Sequence, residues 1–291
     1  MSFPYIKRKY GKVDGTEVFS ILIPTWNNLP HLMLIVESIR KNSTFKHQII
    51  LHINEGKDGS LTWADAQEDV FYTSSDANIG ICKAMNLAAT LATTAYILYI
   101  NDDMYVCPQW DLHLHNEIKA IGHHYFFLSS TMIEHYDSGN ACVIVANYGN
   151  TIETFEEERL LGTYDSYDKN NWSGSTWPPN VVHKEVWDMV GGYSIEFSPG
   201  MYSDPDFSRK LWHLGVRIFK GVGASRVYHF GSKSTKRIKV NTGRAMFLKK
   251  WDMTARTFSK IFLRSGQPYV GILPEVELSK LQRILSYFKR L

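Results

Sequence analysis

Four short apolar runs alternate with amphipathic stretches in the first hundred residues of this chain. The apolar runs lie at 18–24, 48–54, 70–74 and 95–100. Between the first two, residues 29–42 place apolar side chains at helical spacing. This alternation predicts repeated βαβ units, which build a parallel sheet with right-handed crossovers. The predicted fold class is therefore α/β, with a mostly parallel central sheet between helices.

Polar residues follow each predicted strand at its carboxyl end. They are Thr25 and Asn27 after Pro24, then Asn54, then Asp76 and Asn78, and finally Asp102 and Asp103. Ligands bind beyond the carboxyl ends of the strands in open sheets of this kind. The sequence thus predicts a polar binding site at this edge.

The second half of the chain is less regular. Helices are predicted at 108–121, 151–161, 186–190 and 204–214, strands at 125–131, 141–146, 216–219 and 225–229, and a loop at 170–179. Asp204 suits the N-cap of its helix, and Pro205 suits the first turn. Residues 1–17 form a polar lead-in, and the tail is expected to be mostly helical.

Composition excludes several classes of protein. The 291 residues are 44% hydrophobic and 21% charged, which excludes intrinsic disorder and a small disulfide scaffold. The three cysteines have no paired spacing, so a structural zinc site is not expected and a reducing cytosol fits best. The longest apolar runs have the length of strands, which predicts a soluble, cytoplasmic protein.

The net charge of +3 hides a strong asymmetry along the chain. Residues 226–291 carry 15 Lys and Arg against 3 Asp and Glu, a net of +12, which leaves −9 for residues 1–225. Within this basic tail, residues 278–291 form an apolar stripe flanked by Lys and Arg. The pattern fits peripheral contact with an anionic membrane surface, and equally a helix packed on the body or on a partner.

Asp102 and Asp103 are adjacent carboxylates after the most apolar run. Like charges this close repel and raise each other's pKa unless a cation intervenes. Hard oxygen ligands with open positions suit Mg²⁺ or Mn²⁺, which could also hold a diphosphate. A turn or a helix cap is the alternative explanation for the pair.

Five segments in order resemble the family 2 glycosyltransferases of the GT-A fold. They are FSILIPTWN at 19–27, NIGICKAMN at 78–86, YILYINDD at 96–103, VGGY at 190–193 with YSDPD at 202–206, and YHFG at 228–231. The resemblance covers residues 18–232, divided into a nucleotide-binding half (18–106) and an acceptor-binding half (107–232), with a basic extension at 233–291.

The resemblance implies a role for each matching residue. Asp103 would bind Mn²⁺ or Mg²⁺, Asp102 would assist through the metal or the ribose, and His229 would complete the metal shell. Asp204 would be the general base, with Asp206 the less favoured carboxylate. The donor nucleotide would be bound by Pro24, Thr25, Asn27, Asn54, Asn78, Lys83 and Asp102.

Three positions depart from the family pattern. Asn54 stands where an Asp often binds the base, Met85 where many relatives carry Arg, and Ser203 where a Glu is usual. Lys83, or Lys233 or Lys236 in the tail, would replace the missing diphosphate contact.

Trp172 and Trp177 lie in the loop before the predicted base. An aromatic ring can stack on the C–H face of a sugar, so together with Asp206 they are candidate acceptor-binding residues. Anchoring of a long loop is the alternative for each tryptophan.

The sequence therefore predicts an inverting transferase that moves a sugar from a nucleotide-sugar, with a UDP-sugar favoured, to a glycan or lipid-linked acceptor. No nucleic-acid partner is expected. The alternatives are a retaining GT-A transferase, a sugar-phosphate nucleotidyltransferase, and a non-catalytic glycan- or nucleic-acid-binding module. A nucleotidyltransferase would need a Gly-rich loop after the first strand, where this chain has Pro24-Thr-Trp-Asn-Asn28.

Overall fold

The computed structural model describes residues 5–231 and 242–279. Its strands are β1 (Ile6–Lys9), β2 (Phe19–Trp26), β3 (Gln48–Asn54), β4 (Val70–Ser75), β5 (Tyr96–Tyr99), β6 (Met104–Val106), β7 (Phe126–Glu134), β8 (Ile144–Val145), β9 (Trp172–Ser173), β10 (Asn180–His183) and β11 (Ile218–His229). Its α-helices are α1 (Leu29–Asn42), α2 (Ser60–Asp65), α3 (Ile81–Ala89), α4 (Trp110–Ile121), α5 (Glu157–Thr163), α6 (Lys184–Val190), α7 (Ser203–His213), α8 (Gly243–Trp251) and α9 (Ala255–Thr257). A 3₁₀ turn covers Ile195–Phe197, and a π-helical turn covers Phe258–Phe262.

One mixed sheet organises the molecule. Its strand order is β1-β4-β3-β2-β5-β10-β7-β11-β6, with β8 beside β7 and β9 beside β11. The β4-β3-β2-β5 block is parallel, as is the β7–β11 pair, whereas β10 runs antiparallel to both β5 and β7. The prediction of a mostly parallel α/β sheet is confirmed.

The central strands are covered by helices on both faces of the sheet. Their sequences are therefore largely apolar and do not alternate between apolar and polar residues. Every residue of β3 is buried. One face packs against α1 and α4 through residues such as Val36 and Leu114. The other packs against α3, α6 and α7 through residues such as Met85, Trp187 and Leu211. The result is a three-layer arrangement that fixes the strand ends.

Residues 242–279 pack on the second of these faces. Phe247 of α8, together with Phe258 and Phe262 of the π-helical turn, lies in the same core as Leu211. This part of the predicted C-terminal extension therefore belongs to the same body as the sheet. The predicted boundary at 232/233, Lys233 and Lys236, and residues 280–291 of the predicted membrane-contact segment lie outside the described residues. No helix within the described ranges is both sufficiently long and sufficiently apolar for a bilayer crossing.

Several sequence-based boundaries require correction. The lead-in contains β1, which pairs antiparallel with β4 and covers that edge of the sheet. The two strands predicted at 216–219 and 225–229 are a single strand, β11, whose register shifts between Val222 and Arg226. The helical prediction for the tail holds to Phe262 and fails for residues 263–279, where the described backbone contains no helix.

Candidate active site

The carboxyl ends of β2 and β5 bring two of the predicted polar residues into contact. These strands are parallel neighbours, so their ends meet at one edge of the sheet. The Thr25 hydroxyl donates a 2.7 Å hydrogen bond to Oδ2 of Asp102. Thr25 and Asp102 therefore lie in contact, and their roles in donor binding stay predictions.

Asp103 faces His229 across the same edge. The carboxylate Oδ1 of Asp103 lies 3.6 Å from Nε2 of His229, and Asp103 is only 5% exposed. The two residues are brought together by β6 and β11, where Met104 pairs with His229 and the Phe230 N–H binds the Asp103 carbonyl. A carboxylate oxygen and an imidazole nitrogen are thus held side by side.

Glu134 is a site residue that sequence reasoning missed. It ends β7 and pairs in register with His229 of β11. Its Oε1 lies 3.1 Å from the Nδ1 of His229, on the side of the ring away from Asp103. Burial alone would lower the pKa of His229, but the neighbouring carboxylates of Asp103 and Glu134 outweigh it and raise the pKa to about 9.

A second histidine, His31 of α1, lies near enough to Asp103 for the charge of that carboxylate to act on its ring. Burial lowers the pKa of His31, while the charge of Asp103 acts in the opposite direction. Its ring packs edge-on against Phe230, and its Nδ1 lies 3.0 Å from Oδ1 of Asn28. Its Nε2 is buried and has no hydrogen-bond partner among the described residues. A buried polar atom of this kind fits a site that takes a polar ligand.

The donor set suits a divalent cation. Asp103 supplies a hard oxygen and His229 an imidazole nitrogen, 3.6 Å apart, which is within reach of a single ion. Glu134 holds the other nitrogen of His229, an arrangement that commonly orients a metal-binding histidine. The residues present therefore fit Mn²⁺ or Mg²⁺.

Asp204, the predicted general base, lies in the first turn of α7. The Tyr193 hydroxyl donates a 3.0 Å hydrogen bond to Oδ1 of Asp204. Burial raises the pKa of Asp204 to about 7, although the Tyr193 hydrogen bond acts in the opposite direction. A carboxyl group that titrates near neutral pH is suited to proton transfer.

Tyr99 lies close to both groups of predicted site residues. Its ring packs edge-on against Tyr193, with ring centroids 6.0 Å apart. Burial raises the pKa of Tyr99, and the charges of Asp204, Asp103 and Asp102 add to that rise. The predicted base and the predicted metal ligands are therefore all near enough to one phenol for their charges to act on it.

A match to a protein-family model identifies the class of this protein. The family model described as "Glycosyl transferase family 2" matches residues 20–190, which is more than half of the 291-residue chain. The chain belongs to glycosyl transferase family 2. No curated protein matches it in sequence.

Solved structures resemble this family 2 chain in fold. GalNAc-T7, solved with UDP, GalNAc and Mn²⁺, has a TM-score of 0.59 at 15% identity, over 95% of this chain and 55% of GalNAc-T7. TarS 1-349 from S. aureus has a TM-score of 0.52 at 14% identity, over 73% of this chain and 60% of TarS 1-349. The complex of TarS 1-349 with UDP-GlcNAc has a TM-score of 0.51 at 14% identity, over 74% of this chain and 61% of TarS 1-349.

These likenesses show the GT-A fold that the sequence predicted. The chain spans between 55% and 61% of the length of the three structures.

The remaining predicted nucleotide-binding residues of this family 2 member lie along the same edge. Pro24 is buried within β2, opposite His52 of β3. Asn27 takes a positive φ of 48° and binds Glu55 through its amide. The Asn78 side chain accepts the Gly80 N–H before α3, and Lys83 is exposed on that helix.

Asn54 is tied to the backbone around it. Its Oδ1 accepts the Ile79 N–H at 2.9 Å, and its Nδ2 lies 3.3 Å from the Thr25 carbonyl. These bonds join the ends of β2 and β3 to the loop before α3. Its predicted contact with the base stays a prediction.

Asp206 is not placed to bind an acceptor. Its side chain is fully buried, and its Oδ1 accepts a 2.8 Å hydrogen bond from the Trp251 indole and lies 3.0 Å from the Lys250 ammonium. Asp206 therefore anchors α8 to α7.

The N-cap prediction for Asp204 is also wrong, because α7 begins at Ser203 and its N-cap is Tyr202, with a φ of 70°.

The two tryptophans have different surroundings. Trp172 is 5% exposed, its indole N–H binds Thr131, and its ring covers Gly221, where a Cβ would lie 1.8 Å from the ring. The prediction that Trp172 stacks on an acceptor is therefore wrong. Trp177 is 37% exposed, and it precedes Asn180, which pairs with Tyr99 at the site edge of β5.

Proposed function

We propose that this chain is a metal-dependent, inverting glycosyltransferase that uses a nucleotide-sugar donor, with a UDP-sugar favoured. Membership of glycosyl transferase family 2 supports the reaction class. Two structures of the same fold were solved with UDP, GalNAc and Mn²⁺ and with UDP-GlcNAc, which supports the donor and the metal. The acceptor is proposed to be a hydroxyl of a glycan or of a lipid-linked sugar.

The observation that carries the proposal is the contact of Asp103 with His229, whose Oδ1 and Nε2 lie 3.6 Å apart. Asp204, with a pKa of about 7, is bonded to Tyr193, which packs against Tyr99. Inversion needs a base on the face of the sugar opposite the leaving group. Asp204 is proposed for that base, and Asp103 with His229 for the side of the leaving group.

The part of the site formed by Asp103 and His229 is proposed to receive the diphosphate of the donor. Asp103 and His229 would hold Mn²⁺ or Mg²⁺, and Glu134 would keep the His229 ring in one orientation. When bound, the ion neutralises charge on the departing nucleoside diphosphate. Asp102, whose carboxylate accepts a hydrogen bond from the Thr25 hydroxyl, is proposed to assist at the ribose or at the metal.

Asp204 is proposed to take the proton of the attacking hydroxyl. Its ordinary pKa of 3.8 would make it a weak base, whereas a pKa of about 7 makes it a stronger base that is still substantially ionised at neutral pH. The Tyr193 hydroxyl holds Oδ1 and leaves Oδ2 for the acceptor. The proton then stays on the Asp204 carboxyl until it exchanges with water.

Replacement of Asp204 by Asn tests this assignment. The amide keeps the shape of the side chain but cannot accept the proton, so we expect transfer to fall by roughly 10²–10⁴-fold. Donor binding, followed by the thermal shift that UDP and Mn²⁺ produce, should remain as in the parent protein.

Asp188→Asn is the matched control, because Asp188 lies in a surface ion pair with Lys184. Turnover of Asp204→Asn near the parental rate would show that the base is a different group. NMR of the product's anomeric proton would separate inversion from retention.

A further inference from the structure

Two histidines and a glutamate meet at the end of the sheet opposite to the candidate active site. His183 ends β10, His124 lies just before β7, and Glu185 is in the first turn of α6. One potential ligand atom from each residue lies within 4.8 Å of those from the other two. Nothing in the proposed transfer reaction uses these residues.

The strand register keeps this cluster apart from the active site. His183 pairs with Tyr96 at the amino end of β5, whereas Asp102 follows the carboxyl end of that strand. The strand from Tyr96 to Tyr99 alone spans about 10 Å, and Asp102 lies beyond its far end. An ion bound at the cluster would therefore be distinct from one bound by Asp103 and His229.

His183 is the most firmly held member of the cluster. It is 7% exposed, and its ring packs edge-on against Tyr96 at 5.4 Å. Its Nδ1 accepts a long, 3.3 Å hydrogen bond from the Glu185 backbone N–H, so a lone pair of the ring points toward the first turn of α6. An incoming ion could take the place of that weak donor.

His124 and Glu185 supply the other two donors. The His124 ring stacks on the His183 ring, with centroids 3.5 Å apart and planes inclined by only 9°. Oε2 of Glu185 lies 3.0 Å from Nδ1 of His124 and 3.7 Å from Nδ1 of His183. The adjacent cation, Lys184, is engaged by Asp188 at 2.6 Å, so it does not neutralise Glu185.

We propose that His124, His183 and Glu185 form a binding site for Zn²⁺ or an ion of similar ligand preference. Two imidazoles and a carboxylate are a donor set that suits zinc, and water would complete a tetrahedral shell. Tetrahedral coordination requires donor atoms about 3.3 Å apart. Stacked, nearly parallel rings do not direct their in-plane lone pairs at one ion, so the exposed His124 side chain would turn out of the stack to bind, and the exposed Glu185 side chain would follow it.

Such an ion would join three separate elements. The turn before β7, the end of β10 and the first turn of α6 would be crosslinked at one point. Because Zn²⁺ would bind the folded chain and not the unfolded one, it would raise the midpoint of thermal unfolding. Mg²⁺, which prefers oxygen ligands, would not replace it.

Zinc counting in the full-length chain tests this site. The Asp103→Ala variant removes the metal ligand of the candidate active site, and a competition titration with a chromogenic zinc chelator then reports the remaining ions. We expect one Zn²⁺ per chain in Asp103→Ala and loss of that ion in Asp103→Ala/His124→Ala. Co²⁺ should give the visible absorption of a tetrahedral site in the first variant and not in the second.

His123→Ala is the matched control in the Asp103→Ala background, because His123 is exposed in the same turn but lies outside the cluster. It should keep the ion and the zinc-dependent rise in the unfolding midpoint. Equal zinc binding with and without His124, or equal loss in the His123 control, would overturn the proposal. Glu185→Gln provides a second test, since it leaves the cap made by His183 in place.

Discussion

Glu134 and His229 lie opposite each other in the parallel pairing of β7 and β11, with Oε1 of Glu134 3.1 Å from Nδ1 of His229. An ionised carboxylate can only accept a hydrogen bond, so Nδ1 of His229 must carry a proton. The opposite nitrogen, Nε2, faces Asp103. Glu134 therefore fixes the tautomer of a neutral His229 ring, and the nitrogen left free to bind an ion is Nε2.

Replacement of Glu134 by Gln should weaken metal binding. The amide still reaches Nδ1 but no longer adds negative charge to the histidine, and loss of such partners commonly costs 10–100-fold in metal affinity. Calorimetric titration of Mn²⁺ in the presence of UDP measures the effect. Glu158→Gln, on the exposed side of α5, is the control. Parental affinity in Glu134→Gln would show that Glu134 does not orient the ligand.

The rate of transfer should depend on the ionisation of Asp204. The folded-state pKa is raised to about 7 from 3.8, so the basic carboxylate is lost as the pH falls through 7. We expect kcat/KM to level off above that pH and to fall about tenfold per pH unit below it. Initial-rate measurements with saturating Mn²⁺ give the profile. A flat profile down to about pH 5 would contradict a base with this raised pKa.

Removal of the Asp206 side chain should destabilise the fold. Asp206 is buried against Trp251 and Lys250, so Asp206→Ala leaves the Trp251 indole N–H without its acceptor, while the Lys250 ammonium keeps its contact with Glu196. Loss of the acceptor of a buried donor costs about 1–3 kcal/mol of the free energy of unfolding. Urea denaturation measures it, with Asp188→Ala in the exposed pair with Lys184 as the control, where the cost should stay below about 1 kcal/mol. A loss of acceptor binding without a loss of stability would restore Asp206 as an acceptor ligand.

Trp177 is expected to contribute to acceptor binding. It is exposed beside the site edge of β5, and a sugar ring could stack on its indole. With Trp177→Ala, the KM for the acceptor should rise roughly fivefold to tenfold, while the KM for the donor stays unchanged. Tyr125→Ala removes an exposed aromatic residue before β7 and serves as the control. An unchanged acceptor KM would leave Trp177 as a loop anchor.

The parallel half of the fold follows closely from the sequence. The predicted helix at 29–42 and the strand at 48–54 match α1 and β3 residue for residue. Both have strong periodic patterns and clear ends, so local sequence suffices to place them. The lead-in strand β1 was missed because its four residues, IKRK, are mostly basic and gain their structure only from pairing with β4.

The site was predictable where motifs follow strands and unpredictable where strands distant in sequence meet. Asp103 and His229, which lie in contact, were singled out through motifs at strand ends. Glu134 was not, because a single glutamate at the end of an apolar strand is common, and its role arises only from the β7–β11 register. The prediction for Trp172 was wrong for a similar reason, since the burial of its ring depends on Gly221 and Thr131, both far away in the chain.

Titration of UDP into the protein with and without Mn²⁺, compared between the parent chain and Asp103→Ala, tests the central claim most directly. Asp103 and His229 are proposed to hold the ion that receives the diphosphate, so the parent should bind UDP much more tightly with Mn²⁺ than without it. Asp103→Ala should lose that enhancement while keeping the parental circular dichroism spectrum. Binding of UDP that is equally tight in both proteins, and indifferent to Mn²⁺, would contradict the account.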